Sequence, residues 1–224
     1  MINLLSNLKI SVPEKIFIKD PESSDLGKRI IEHSILLIDE IGFDSFTFKK
    51  LGERIGSNES SIYRYFESKH KLLLYLTSWY WAWIEYQLVF ASHNLPDDQE
   101  KLFKAIEIVT RTIKVDVNFS HINEIALNRI IINENSKSYL TKTVDNENKE
   151  GYFIVYKRLV KRISEMIVAI NPNYKYAASL ASTIVEGALH QHFLKDHFTS
   201  ITDCDNKITP ADFFKDLTIK TISN

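Results

Sequence analysis

Apolar residues recur every three or four positions along most of this chain, which is the spacing of a helix with one buried face. Between residues 27 and 76 the pattern comes in short runs. The first run contains Ile31, Ile35 and Ile38 and stops at Gly42, a residue type that commonly ends helices. It predicts a supporting helix that ends at Gly42.

A second, shorter helix is predicted directly afterwards. Thr47 is placed to cap it through the side-chain hydroxyl, and Phe48 and Ile55 lie on its buried face. Lys49 is on the opposite, basic face. Gly56 ends this helix.

A polar turn then leads into a third helix, whose outward face carries candidate chemistry. Asn58 or its neighbour is expected to cap this helix, and Ile62 and Phe66 face inward four residues apart. The outward face combines hydroxyl, aromatic and guanidinium groups, which suit base edges, thymine methyl groups and phosphates. A fourth helix begins at Ser68. The residues predicted to face outward are Ser60, Ser61, Tyr63, Arg64 and Tyr65.

Residues 27–76 resemble the N-terminal domain of the TetR family of transcriptional regulators. The resemblance implies that the third helix lies in the major groove of DNA, and that Thr47, Tyr63 and Lys69 hold phosphates. It also implies a second, all-helical domain that binds an effector and dimerises. The motifs that match at the family's spacing are Gly42-Phe43, Thr47, Leu51, Ile55-Gly56, Ser61-Ile62-Tyr63, Tyr65-Phe66, Lys69 and Leu72.

Two residues of the third helix depart from the family's pattern. Glu59 stands where the family commonly has a basic or small residue. It would repel a phosphate, but it would also favour the helix start through the dipole, or accept a hydrogen bond from a cytosine amino group. Ser60 replaces the usual glycine or alanine, which alters the choice of DNA sequence and not the class of protein.

The distribution of charge favours a DNA contact through one segment and not through the whole surface of the protein. The whole chain has a net charge of −1, whereas residues 47–71 hold six basic and three acidic residues. Because affinity for DNA depends on the number of phosphates neutralised, one such module is expected to bind weakly. Two copies on adjacent half-sites of a palindromic operator are therefore predicted, which makes the protein a homodimer.

Composition favours an intracellular protein with two cores. Hydrophobic residues make up 44% of the 224 positions, and Cys204 is the single cysteine, so no disulfide framework is expected. The sequence lacks an export signal and a long apolar run. We expect a cytoplasmic protein without a membrane partner.

The predicted fold is all-α, with three segments. Residues 1–26 form an N-terminal extension, residues 27–72 a helix-turn-helix DNA-binding domain, and residues 73–224 a larger helical bundle for ligand binding and dimerisation. In the extension a small hairpin is possible. Its Lys9, Lys15 and Lys19 would either reach the minor groove as an arm or flank apolar residues that pack on the body.

The second domain offers candidate ligand contacts on otherwise apolar helices. Large aromatic side chains at helical spacing are typical of an ordinary core, but they also line cavities for apolar ligands. His190 and His192 are two residues apart, which does not suit a shared metal on one helix face, and neither a metal nor another cofactor is expected. The main candidates are Trp79, Trp83, Tyr86, His121, Tyr152 and Tyr156, with Asn128 as a further polar group.

The last two predicted helices are candidates for the dimer interface. Small residues between 173 and 197 allow a close helix approach, and Thr209-Pro210 is a helix start with Asp212 able to reach back. Paired with its symmetry mate, this hairpin would form a four-helix interface, or the two helices would pack within one chain. The interface residues would be Leu180, Ile184, Ala188, Phe213 and Leu217.

Further breaks between helices are predicted at residues 94–96, around Asn118, at 171–172 and between 199 and 209. Residues 133–150 are polar and lack apolar periodicity, so they are expected to form a loop, either a lid or a simple connection.

These patterns predict a homodimeric DNA-binding regulator, a repressor that a small, largely apolar effector releases from its operator. An activator, or a regulator controlled by a protein partner, has the same DNA-binding features. A lipid-carrying or enzymatic helical protein fits less well, because no phosphate-binding glycine loop and no nucleophile-base spacing is present, and no catalytic residue is assigned.

Overall fold

The computed structural model describes residues 10–113 and 121–223, and within these ranges the chain forms ten α-helices and no strand. The predicted all-α fold is confirmed. Three short 3₁₀ turns lie at Glu14–Ile16, Pro21–Ser23 and Thr199–Ile201. The α-helices are α1 (Asp25–Ser45), α2 (Phe48–Ile55), α3 (Glu59–Tyr63), α4 (Lys69–Ser92), α5 (Asp98–Thr110), α6 (Glu124–Tyr139), α7 (Val144–Lys149), α8 (Ile154–Ile170), α9 (Ala177–His197) and α10 (Pro210–Ile222).

The helices pack into two compact units. Unit 1 draws its described residues from Met1–Tyr80 and Ile113–Ile154, and unit 2 from Trp81–Thr112 and Val155–Asn224. Helix α4 therefore supplies residues to both. The two units describe how the helices pack and not what they do. The division of the chain at residue 72 into two functional domains therefore stays a prediction.

Unit 1 is organised around α1. The Ser24 hydroxyl caps this helix by accepting a hydrogen bond from the Gly27 N–H at 3.2 Å, and Ile31 and Ile35 are fully buried. Gly42 has φ 75° and ψ 156°, so the helix breaks at the predicted residue and one more turn leads to Ser45. A side chain at position 42 would strain this backbone, because positive φ is costly for residues other than glycine.

The N-terminal extension lies on unit 1 and forms no hairpin among residues 10–26. Ile10, Val12 and Ile16 are buried, because these alternating apolar side chains pack on the rest of unit 1. The Lys15 ammonium is 2.6 Å from the Glu150 carboxylate. The hairpin prediction is wrong for these residues because their apolar side chains are buried by the rest of unit 1. Lys9 lies outside the described residues.

Residues 133–150 are mostly helical, so the loop prediction is wrong. Helix α6 continues to Tyr139, and α7 begins at Val144. Three polar residues of this stretch, Asn135, Ser138 and Glu147, are buried: the Ser138 hydroxyl donates to the Asn135 carbonyl, and Glu147 accepts from His70 at 2.9 Å. Apolar periodicity cannot reveal a helix that buries polar side chains.

The predicted breaks at residues 94–96, 171–172 and 199–209 are confirmed, and the one around Asn118 lies outside the described residues. No helix in the described part of the chain is long and apolar enough to cross a membrane.

In unit 2, helices α5, α9 and α10 pack on one another. A Cβ atom added at Gly187 of α9 would lie 2.6 Å from the Phe214 ring of α10, so the small residues of α9 allow a close approach within one chain. The predicted start of the last helix is confirmed. Thr209 and Asp212 form a capping box, with Pro210 in the first turn.

Candidate DNA-binding interface

Helix α2 presents an exposed, basic edge. The Thr47 hydroxyl accepts a hydrogen bond from the Lys50 N–H at 3.2 Å, which confirms the predicted cap. Phe48 and Ile55 are buried, so Thr47, Lys49 and Lys50 are left on the surface. Lys50 also donates to the Ser45 carbonyl at 2.8 Å. Sequence reasoning omitted Lys50 from the site, although it stands three residues after the cap.

Asn58 caps α3, which confirms one of the two predicted alternatives. Its side-chain oxygen accepts from the Ser61 N–H at 2.8 Å, the Ser61 hydroxyl at 2.6 Å and the Ser60 hydroxyl at 2.9 Å. One amide oxygen therefore orders the first turn of the helix. The Glu59 carboxylate is not needed as a side-chain cap.

Two side chains near the end of α3 are exposed. Tyr63 is 46% exposed and leans edge-on against Phe48, with ring centroids 5.0 Å apart. Partial desolvation, together with the charge of Glu59 and its hydrogen bond to the phenol, raises the pKa of Tyr63. The phenol is therefore a proton donor at neutral pH. Arg64 follows at the surface.

Tyr65 does not face outward, and this prediction is wrong. The side chain is 3% exposed, and its hydroxyl lies 2.7 Å from the Ser24 hydroxyl and 3.3 Å from the Lys19 ammonium. Helix α3 ends at Tyr63, so its outward face cannot be extended two residues further. Tyr65 instead joins the N-terminal extension to the end of α3, and the Ile18 N–H donates to its carbonyl at 2.8 Å.

Lys69 lies beneath the joint between α1 and α2, which we define as residues 42–46. Its ammonium donates to the carbonyls of Phe43 at 3.0 Å, Asp44 at 3.1 Å and Phe46 at 3.2 Å. The same nitrogen is 4.8 Å from the centroid of the Phe43 ring. Lys69 therefore holds the joint together, and its phosphate contact stays a prediction.

Helix α6 holds the same joint from another direction. The Glu134 carboxylate accepts from the Phe43 N–H at 3.1 Å. Lys137 is 2.9 Å from Glu134 and 2.7 Å from Asp44. Sequence reasoning missed these residues because they lie in the stretch that was taken for a loop, although Glu134 and Lys137 have the spacing of an ion pair on a helix.

A second ion pair connects α6 to α1. The Arg129 guanidinium donates to both carboxylate oxygens of Asp39, at 2.8 and 2.5 Å. Such two-point geometry fixes orientation as well as distance. Helix α1 and the joint are thus anchored to α6 within unit 1.

The six residues predicted to bind a ligand are divided between the two units. In unit 1, Trp79 is buried, His121 lies 2.9 Å from Glu22, and Tyr152 is hydrogen-bonded to Lys71. The other three, Trp83, Tyr86 and Tyr156, belong to unit 2. There the Tyr156 hydroxyl donates to Glu186 at 2.6 Å.

Two described cavities of unit 2 are lined by other residues. One, of about 390 Å³, includes His192, whose ring nitrogen is 2.7 Å from the Thr110 carbonyl and whose pKa is lowered by burial. The other, of about 440 Å³, lies between the end of α9 and the start of α10. None of the six predicted ligand residues lines either cavity. The walls of the second cavity, of about 440 Å³, include Ile201, Ile208 and Phe213.

The residues predicted for the dimer interface fall into two groups. Ile184 and Ala188 are fully buried by their own chain, and Leu180 is 8% exposed. These three are not on the surface of the described chain, because the inner face of α9 packs within unit 2. Phe213 is 42% exposed, and Leu217 is half-buried.

One segment of the chain matches the model of a known family. Residues 30–76 match the family described as bacterial regulatory proteins, tetR family. No curated protein sequence matches the chain.

Two solved structures share the fold at low sequence identity. A crystal structure of AibR in complex with isovaleryl coenzyme A and operator DNA is 14% identical, covers 87% of this chain and 98% of its own, and has a TM-score of 0.55. A crystal structure of the superantigen PfiT is also 14% identical, covers 91% of this chain and 98% of its own, and has a TM-score of 0.57.

Proposed function

We propose that this chain, whose residues 30–76 match the tetR family, is a cytoplasmic, homodimeric transcriptional repressor that binds a palindromic operator and is released by a small, largely apolar effector. The observation that carries the proposal is the helix-turn-helix of unit 1. Its apolar side chains are buried within the unit, while a contiguous set of groups suited to phosphates and base edges stays on the surface. That surface is formed by Thr47, Lys49, Lys50, Ser60, Ser61, Tyr63 and Arg64.

The chemistry of this surface suits duplex DNA. Lys49, Lys50 and Arg64 are exposed cations that attract the phosphate backbone, and Thr47 and Tyr63 add hydroxyl donors. An arginine beside the recognition helix also suits the two acceptors of guanine. These groups position and read a half-site.

Dimerisation is proposed because one half-site offers too few phosphate contacts for tight binding. Four large apolar side chains are at least 42% exposed around the α9–α10 connection of unit 2: Phe198, Ile201, Ile208 and Phe213. Burial of such side chains against a second copy would be favourable. This surface, with Leu217, replaces the predicted contact through Ile184 and Ala188.

Effector release is proposed as a shift between conformations. A ligand that binds more tightly to a dimer with the wrong spacing of recognition helices withdraws the protein from its operator. AibR has been crystallised with isovaleryl coenzyme A and operator DNA, so the apolar acyl chain of an acyl-CoA thioester, carried on the polar coenzyme, is the first effector group to test. An activator, or a regulator with a protein effector, shares every DNA-binding feature, and an enzymatic role is not proposed.

The test is in vitro selection from a random duplex library with the full-length protein, followed by fluorescence anisotropy. We expect a palindrome with half-sites about one helical turn apart, bound by two chains in light scattering. Arg64→Gln should weaken binding and change base preference, while Lys161→Gln, which removes an exposed charge from α8, should change neither. Selection of no sequence above bulk DNA would overturn the proposal.

The effector is tested on the selected operator. Acyl-CoA thioesters of increasing chain length, with free coenzyme A as the control, are titrated into the complex. Release of DNA by a thioester and not by coenzyme A supports the switch. Equal affinity and equal operator spacing with every compound would contradict small-molecule release while leaving DNA binding intact.

A further inference from the structure

Glu59 is the first residue of α3 and is partly exposed on the surface proposed to meet DNA. An acidic side chain at this place needs a physical reason. It cannot attract phosphates, since a carboxylate accepts hydrogen bonds and carries the same sign of charge. It forms no ion pair with any residue in the described ranges of the chain.

Neither of the simple structural roles accounts for the carboxylate. The side-chain cap of α3 is supplied by Asn58, which already accepts three hydrogen bonds. The interaction of an acid with the helix dipole is small at an exposed position and is screened by salt. The stability of α3 therefore does not require Glu59.

The serine hydroxyls beside Glu59 are tied to Asn58, so the carboxylate of Glu59 is the charged acceptor of this turn. The hydroxyl hydrogens of Ser60 and Ser61 both point to the Asn58 side-chain oxygen. One turn further along α3, the Tyr63 ring leans edge-on against Phe48. Glu59 itself is partly exposed at the start of the helix, where its carboxylate can meet a hydrogen-bond donor from outside the chain.

We propose that Glu59 is a specificity-determining residue that accepts a hydrogen bond from the exocyclic amino group of a cytosine in the major groove. This inference rests on the proposed function. Base edges in that groove offer only two donors, the amino groups of cytosine and adenine. In adenine the amino group is next to the N7 acceptor, which repels a carboxylate and suits an amide instead. Cytosine is therefore the base that an acid selects.

Glu59 therefore lowers the affinity for DNA in general and raises the selectivity for one sequence. At sites without a suitably placed cytosine, Glu59 weakens binding by repelling phosphates and by losing its hydration without compensation. At a site with the cytosine, the hydrogen bond offsets that loss. The residue thus penalises wrong sequences more strongly than it favours the right one.

The experiment compares Glu59→Gln with a matched control, Glu53→Gln. Glu53 is an exposed acid of α2, so its replacement removes the same charge from the same unit. Both variants and the natural protein are taken through selection from a random duplex library. Each is then measured by anisotropy on the selected operator, with every base pair of one half-site replaced in turn.

For the natural protein we expect one position per half-site at which cytosine is preferred by about tenfold, a typical value for a good base contact. Glu59→Gln should shift that preference towards adenine, which an amide can contact through both N6 and N7. Glu53→Gln should raise affinity for all sequences alike and keep the cytosine preference.

The possible failures are distinguishable. If Glu59→Gln acts as Glu53→Gln does, with a uniform gain and an unchanged preference, the acid is only repulsive and the inference is overturned while the proposed function stands. If the natural protein selects no sequence at all, the proposed function fails first. Circular dichroism of both variants confirms that they fold.

Discussion

Replacing Lys69 by methionine removes an ammonium that makes three hydrogen bonds to the joint at residues 42–46, while keeping most of the aliphatic stem. A hydrogen bond from a charged group contributes about 1.5–3 kcal/mol when it is well shielded. Lys69 is only half-buried, and the three bonds share one nitrogen, so their contributions do not add. We expect Lys69→Met to lower the free energy of unfolding by about 2 kcal/mol.

The matched control is Lys49→Met, because Lys49 is an exposed cation of α2. Its loss should change stability by less than about 0.5 kcal/mol. For a chain of this length, a loss of about 2 kcal/mol lowers the Tm by roughly 4–8 °C. Thermal unfolding of both full-length variants is followed by circular dichroism at equal protein concentration, since a dimer's Tm depends on concentration.

DNA binding separates the two variants further. Each variant loses one positive charge per chain near the proposed phosphate backbone, and therefore two per dimer, so the slope of log affinity against log salt should become shallower by about two units in both. Only Lys69→Met should also be less stable. If the two variants unfold at the same temperature, the three carbonyl contacts contribute nothing, and the argument that Lys69 fixes the joint is wrong.

Two further predictions concern side chains on either unit. Tyr65→Phe should lose about 1 kcal/mol of stability with its hydrogen bond to Ser24, without a change in DNA affinity; a tenfold loss of affinity at unchanged stability would mean that Tyr65 reads DNA. Burial would raise the pKa of Glu85, but hydrogen bonds and charge from Arg158 and Arg162 outweigh it and hold the pKa below its usual 4.5. The stabilisation is therefore present above pH 4.5 and is lost as pH falls through the depressed pKa. Glu85→Gln should lower the free energy of unfolding by about 1–2 kcal/mol at pH 7 and by less below pH 4. Glu165→Gln, at an exposed site, should have no such effect. A loss of stability that stays constant from pH 7 to pH 3 would contradict the pairing of Glu85 with the two arginines.

The positions predicted correctly from sequence are those where local chemistry decides the backbone. Gly42, Thr47 and Asn58 mark a positive φ and two helix caps, and each acts through its own or the next three residues. The all-α fold followed from helical periodicity. These features need no knowledge of distant contacts.

The errors arose where distant partners decide. Tyr65 was assigned to an exposed face, but the N-terminal extension covers it, and no spacing in the sequence indicates that contact. Residues 133–150 were taken for a loop because their buried groups are polar. Glu147 is stabilised inside unit 1 by a hydrogen bond with His70 of α4, which depends on the completed fold, whereas the Ser138 hydroxyl bonds to the Asn135 carbonyl within its own helix.

The anchoring of the joint has a mechanical consequence for the proposed DNA contact. Thr47 follows the joint directly, and the joint is held by Lys69 of α4 and by Glu134 and Lys137 of α6. Gly42 gives the backbone a bend that α1 cannot propagate through its own hydrogen bonds. A displacement of α6 would therefore act on the start of α2 through Glu134 and Lys137, and on the body of α1 through Arg129 and Asp39. The proposed phosphate contact at Thr47 is for this reason coupled to the position of α6.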